Sequence, residues 1–181
     1  VSSLRLVRHF IALEDVNKIS IEDVFTDDFE IYNIQIRNTR AGTQRENNSQ
    51  DIRLISAGGS EISSTIYDNE SHFARGITAS YLEVGSASRN DFALLYHDTA
   101  SQYGNGNMNM WIFNPFQSDR YTFHIMQVSG RMSYPTTTSI PLITKSCGVL
   151  KQKSCITGFS LTNRDSYDID SGDFRVYGLA T

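Results

Sequence analysis

The sequence predicts an all-β protein, an antiparallel sandwich or barrel of short strands, and three observations carry that expectation. Several segments alternate apolar and polar side chains residue by residue, the period of a strand half-buried in a sheet. The composition favours strands and turns: Ser, Thr, Asn and Gly abound and there are only 3 Pro. No segment shows an amphipathic helical stripe of useful length.

The elements follow in order. "LRLVRHFIAL" (Leu4 to Leu13) alternates and then becomes wholly apolar, predicting a first strand or a packing arm. "NKISIED" gives a short strand or turn. "DFEIYNIQIRN" is the clearest strand, with Tyr32, Ile34 and Ile36 on one face and Asn33, Gln35 and Arg37 on the other. "TRAGTQRENNSQ" has no periodicity and reads as a polar loop. "DIRLISAGG" and "SEISSTIYD" form a strand pair with the Ala-Gly-Gly turn between them. "ITASYLEVGSASRNDFALLYHD" gives two strands divided at the Gly-Ser step, with a short helix across Ser80 to Val84 as the alternative.

In "GNMNMWIFNPF" Trp111 and Phe113 share one face and Met110 and Ile112 the other, and Pro115 ends the strand. "DRYTFHIMQVSG" is rich in aromatic and branched residues and strongly β-forming. "TSIPLIT", "KSCGVLK" and "SCITGFSLTN" follow as strands. "NRDSYDIDSGD" is a turn cluster, and "FRVYGLAT" is a last strand that closes a sheet. About nine to eleven strands result, at sandwich-like spacing. The division expected is residues 1–20 as a strand or inter-subunit arm and residues 21–181 as the sandwich.

Composition excludes some functions. The net charge is −4, against nucleic-acid binding through clustered cations. No apolar run approaches a membrane span. The N-terminal segment has charges inside its apolar stretch, unlike a signal peptide. The cations comprise 12 Arg and 4 Lys, a bias that suits contacts between subunits. Cys147 and Cys155, in "KSCGVLKQKSC", are spaced either to close a loop as a disulfide or to stand as two free thiols. They make no zinc site alone.

No residue pattern commits the chain to catalysis. There is no Gly-x-Ser-x-Gly elbow, and neither cysteine has a base beside it. His9, His72, His97 and His124 stand apart, and His124 reads as a surface-facing or hydrogen-bonded side chain. Asp165, Asp168, Asp170 and Asp173 lack calcium-loop spacing and read as turn residues. No cofactor or metal is expected. Asn47 and Asn69 match Asn-x-Ser, which matters only in a eukaryotic secretory setting. Tyr67, Phe73, Tyr81, Tyr96, Trp111 and Tyr134 read mainly as core. Tyr103 differs: in "HDTASQYGNGNMN" it stands among flexible polar residues. With Asn105 and Asn107 it is the candidate contact for a glycan or receptor, because sugars offer an apolar face and many hydroxyls.

The order of segments resembles a family of tailed-bacteriophage virion structural proteins common in marine phages. "FTDDFEIYNIQIRN" is similar to the family's "Y..Y.I.I.N" strand, and "DIRLISAGGSEISSTIY" to its "L.....GG......Y" hairpin. "MNMWIFNPFQSDRYTFHIM" is similar to its "I.NP......K" strand pair. The last segment, "ITGFSLTNRDSYDIDSGDFRVYGLA", follows "I....S.....I..G...LYG", with Ile169, Gly172 and Val176 in the motif positions. The resemblance runs from about Asp23 to Ala180, and "KSCGVLKQKSC" falls outside its pattern. It implies a jelly-roll-like antiparallel β-sandwich, located in the virion as a capsid decoration, fibre, tail or baseplate part. It implies partners of the same kind, copies of itself and other virion proteins, and no catalytic residues. Arg5, Arg8 and Phe10 of the N-terminal segment are then the expected assembly contacts. The alternative is a carbohydrate- or receptor-binding module at a fibre tip.

Overall fold

A computed structural model describes residues 3–12, 16–41, 50–75, 81–94, 106–133, 139–163 and 168–180. Twelve strands run through them: β1 (Ser3–Ala12), β2 (Lys18–Ile21), β3 (Ile31–Ala41), β4 (Gln50–Ser56), β5 (Tyr67–Arg75), β6 (Tyr81–Arg89), β7 (Phe92–Leu94), β8 (Gly106–Phe113), β9 (Thr122–Ser133), β10 (Ser139–Leu150), β11 (Ile156–Asn163) and β12 (Ile169–Ala180). They form two antiparallel sheets, ordered β1-β12-β3-β8-β9-β10-β5-β6 and β2-β11-β4-β7.

The topology is a jelly roll with additions. β1-β12-β3-β8 faces β2-β11-β4-β7, the order produced when one long hairpin of chain is wound on itself. The hairpins β9–β10 and β5–β6 then extend the first sheet to eight strands. The final strand lies between β1 and β3, fixed against a neighbour on each side. β1 and β2, within residues 3–12 and 18–21, are the edge strands of the two sheets on one side.

Strand alternation builds the core. Tyr32, Ile34 and Ile36 of β3 point inward beside Met108, Met110 and Ile112 of β8 and Phe174 and Val176 of β12. The small sheet answers with Ile52, Leu54, Phe159 and Leu161. Phe25 packs edge-on against Tyr32 with ring centroids 4.9 Å apart, and stacks on Phe159 at 6.1 Å. The hydroxyls of the two largest buried tyrosines tie loops to this core. Tyr32 accepts from the Thr26 N–H at 2.7 Å and donates to the Thr26 carbonyl at 3.0 Å. Tyr67 accepts from the Leu54 N–H at 3.1 Å and donates to the Ile62 carbonyl at 2.9 Å. Each phenol enters the interior with its polar end satisfied, which removes the penalty for burying it.

Several local expectations change. The Ala-Gly-Gly turn forms, with Gly59 at φ 76°, but the chain returns through a single bridge, Ile55 to Glu61. The next full strand, β5, belongs to the other sheet. Residues 81–89 form one strand across Gly85 and Ser86, with no helix; pairing with β5 overrides the local turn signal. "TSIPLIT" and "KSCGVLK" merge into β10. Pro141 fits there because β5 pairs with β10 only from Leu142 onward. Asp170 and Asp173 lie in β12 and not in a turn, since Ile169 already pairs with Ala41.

Gly178 explains the Tyr-Gly step near the end of β12. It is buried, it pairs with Arg5 and Tyr32, and the Phe29 ring occupies the space a β-carbon would need. Gly178→Ala is expected to lower stability by about 1–3 kcal/mol through overpacking. In a Phe29→Ala background the loss shrinks. Urea unfolding of the four chains measures this coupling.

Candidate functional site

Two surfaces stand out, and each follows from which face of a strand is left uncovered. The first is the outer face of the large sheet. On β3 the residues opposite the core set are Asn33, Gln35 and Arg37, and β8 runs beside them with Asn107, Asn109 and Trp111. Register sets Trp111 between Asn33 and Ile125, and Asn109 between Gln35 and Gln127. The polar groups join in a row. Arg37 donates to Gln35 Oε1 at 2.6 Å, Gln35 Nε2 to Asn33 Oδ1 at 3.1 Å, and Asn33 Nδ2 to Asn109 Oδ1 at 2.5 Å. Asn33 is buried within this row although it faces outward.

A break in pairing shapes the end of the row. The β3–β8 register shifts between Ile36 and Thr39, and Asn38 adopts φ 55°. Such bulges bend a strand and re-aim its side chains. The Asn38 N–H donates to Asn107 Oδ1 at 3.3 Å. The result is a groove of about 440 Å³ lined by Gln35, Arg37, Asn107, Asn109, Gln127 and Ile143, among others. A second hollow of about 690 Å³ lies on the same face, between Phe113, Phe123, Ile125 and Val149 and the acids Asp68 and Glu70. Lys151, at 2.8 Å, and the Ser88 N–H hold the Asp68 carboxyl below its ordinary value.

The second surface is the β1 edge. Leu6 is 57% exposed, Ile11 52%, Leu4 44%, Phe10 39% and Val7 36%, so apolar side chains project from both faces of this terminal strand. Arg5, Arg8 and Phe10 pair with Gly178, Val176 and Phe174, whose side-chain positions face the interior. The three expected assembly contacts therefore share the inner face of β1, beyond the cover of the small sheet. Phe10 rests against Phe174 at 6.0 Å. A cleft of about 420 Å³, lined by Phe10, Ile11, Val16, Lys18 and Ile19, separates β1 from β2. On the other face His9 Nε2 meets Asp173 Oδ1 at 2.9 Å, and Arg175 grips both oxygens of Asp173 at 3.1 and 2.9 Å. Partial burial pushes the Asp173 carboxyl up, but Arg175 and His9 more than offset this and hold it below the ordinary value.

The remaining candidates distribute as follows. Tyr103 and Asn105 lie outside the described residues, as do Tyr96, His97, Tyr134, Asn47 and Asp165. Asn107 lines the groove. Trp111 is partly exposed on the outer face, whereas Tyr67 and Phe73 are buried. Asn69 is buried too, donating to Ser71 Oγ at 2.8 Å, which makes it a poor glycosylation acceptor. Cys147 and Cys155 are free thiols. Cys147 stands exposed on β10, while Cys155 comes after the chain has crossed toward β11 of the other sheet, so no disulfide joins them. Among the described residues, no three His, Cys, Asp or Glu side chains gather as a metal site.

His124 is not a surface residue. It is 1% exposed on the inner face of β9, with its ring centroid 4.2 Å from that of Phe92. Its Nε2 lies 3.4 Å from Ser146 Oγ. Burial pushes its pKa down to about 3. The imidazole is thus neutral in the fold, a packing group with one weak hydrogen bond.

No family model matches the chain, and no curated protein matches it. Among solved structures, one similar chain is the CBM2 module of Lactobacillus casei BL23 phage J-1 evolved Dit. It is 8% identical, with 91% of this chain and 69% of that one covered and a TM-score of 0.19. Another is the infectious bursal disease virus VP2 subviral particle, 8% identical, with a TM-score of 0.16. There 99% of this chain is covered, but it spans only 41% of the VP2 chain. Scores of this size assign neither a family nor a function.

The buried His124 has a consequence for pH. The unfolded chain protonates this imidazole near pH 6.5, whereas the folded chain does so only near 3. Between these values the unfolded state binds the extra proton, so stability falls as pH falls. The slope from this group alone is at most about 1.4 kcal/mol per pH unit. Unfolding curves from pH 7 to 4 are expected to be shallower in His124→Gln than in the parent chain.

Proposed function

We propose that this chain is a non-enzymatic structural module of a tailed-phage virion, joined to copies of itself or to neighbouring virion proteins through its β1 edge. The observation that carries the assembly reading is the exposure of Leu4, Leu6, Val7, Phe10 and Ile11 on one terminal strand. A long apolar edge strand is a template for pairing with another chain, and isolated proteins blunt such edges. Here β1 is ten residues long, with Arg5, Arg8 and His9 as its only charged or titratable groups. The adjoining β1–β2 cleft offers apolar walls for an inserted side chain. The cationic edge suits a partner strand that carries acids, since like charges placed directly opposite are destabilising. The virion assignment draws on the motif order from Asp23 to Ala180.

The test is solution mass. The parent chain is expected to assemble beyond one copy, and Leu6→Glu with Ile11→Glu to reduce it to a monomer. Both side chains already face solvent, so thermal unfolding of the monomer should stay within about 0.5 kcal/mol of the parent per site. A parent chain that remains monomeric at high concentration and fails to bind any virion fraction would remove the proposal.

A further inference from the structure

We infer that the groove on the outer face of the large sheet, between Gln35 and Gln127, is a binding site for a neutral saccharide. Its chemistry leads there. Gln35, Asn107, Asn109 and Gln127 bring four neutral amides to one groove of about 440 Å³. An amide both donates and accepts hydrogen bonds, which is what a hydroxyl also does. A polyhydroxylated ligand therefore finds a partner for each group it offers, in either orientation.

Charge narrows the class. Among the described residues, Arg37 is the one charged side chain lining the groove, and no carboxylate lines it. A phosphate or polyanion calls for clustered cations and a cationic ligand for acids or an aromatic cage. A peptide captured by strand addition needs a free sheet edge. This groove lies over β3, β8 and β9, which are interior strands whose backbone groups already pair with neighbours. Side chains alone do the recognising here.

Geometry adds an apolar partner and a rigid frame. Trp111 lies two residues from Asn109 on the same face of β8 and is partly exposed. An indole offers a flat apolar surface of the kind that suits the C–H face of a pyranose. Ile143 lines the groove from β10. The row from Arg37 through Gln35 and Asn33 to Asn109 is already joined by hydrogen bonds of 2.6, 3.1 and 2.5 Å. Those amides are held in place before a ligand arrives, which lowers the ordering cost of binding. The Gln127 side chain stands exposed on the opposite wall of the groove, poised to meet a ligand from that side.

Trp111 is the sole tryptophan and lies on the same face of β8 as Asn107 and Asn109, so its emission reports on a ligand that extends from the groove over its ring. The full chain is screened against a neutral glycan array. It is then titrated with hexasaccharides of β-1,4-glucose, α-1,4-glucose, β-1,4-galactose and β-1,4-N-acetylglucosamine while Trp111 fluorescence is followed. At least one neutral glycan is expected to change the emission saturably. Asn109→Ala and Gln127→Ala should each weaken that binding about tenfold, the loss of roughly one hydrogen bond. Both are exposed, so thermal unfolding checks that they still fold. Three results overturn the inference: no neutral glycan binds, binding survives both substitutions unchanged, or only charged polysaccharides bind and salt abolishes it. The Leu6→Glu, Ile11→Glu chain should keep its glycan binding, so failure of this site and failure of the β1 edge are separately visible.

Discussion

The constraint on which this molecule depends is the interleaving of the two ends of its chain. β12 lies between β1 and β3, and β11 lies between β2 and β4. Phe174 and Val176 complete the inner face of the large sheet, and Phe159 and Leu161 that of the small one. Without these late strands neither early strand has a hydrogen-bonding partner on its core side. The same pairing fixes register across the whole large sheet, because each strand is aligned by the one before it. Trp111 lies beside Asn33, and Asn109 beside Gln35, only because β3 is clamped between β12 and β8.

The inequality of the two sheets explains where the surfaces fall. Eight strands face four, so among the described residues the large sheet extends past the strands of the small one. At one end the inner face of β1 is left open, and Arg5, Arg8 and Phe10 project there. Toward the other end the inner residues become polar: Ser71, Thr122, His124, Thr144 and Ser146 are buried around the added hairpins. The outer face, by contrast, is wide enough to carry a polar groove beside an apolar hollow. The edge suits association of chains and the groove suits a small polar ligand, and neither intrudes on the other.

Much of this architecture was legible in the residues. Alternation in "IYNIQIRN" gave β3 with its buried face, and alternation in "MNMWIF" gave the two faces of β8, but Trp111, read as core, lies on the outer one. The polar face of β3 was visible as Asn33, Gln35 and Arg37. What turned it into a site was the neighbouring strand, and no local signal states which strand will be the neighbour or at what register. The same blindness hid His124, which sits in an inward position of a strand whose outward positions are Phe123 and Ile125. From Thr122 to Ile125 the apolar residues face out and the polar ones in, so hydropathy points the wrong way there, before Met126 and Val128 restore the usual pattern. The cysteines were ambiguous because spacing along the chain carries no information about a crossing between sheets. Gly85 and Ser86 signalled a turn, yet pairing with Glu70 and Asn69 holds them extended.

The pairing of Ser3 with Ala180 also sets an order of events during synthesis. β1 leaves the ribosome well before β12, with its apolar side chains and unpaired backbone exposed until that partner strand is made. Contacts this distant along the chain close slowly, because loop entropy is lost before any pairing compensates for it. A growing chain therefore carries an adhesive strand uncovered for as long as the segment between β1 and β12 is being made, and crowding of ribosomes on one message would bring such strands together. For this fold, the speed with which the last strand arrives decides whether the first one finds its own chain or another.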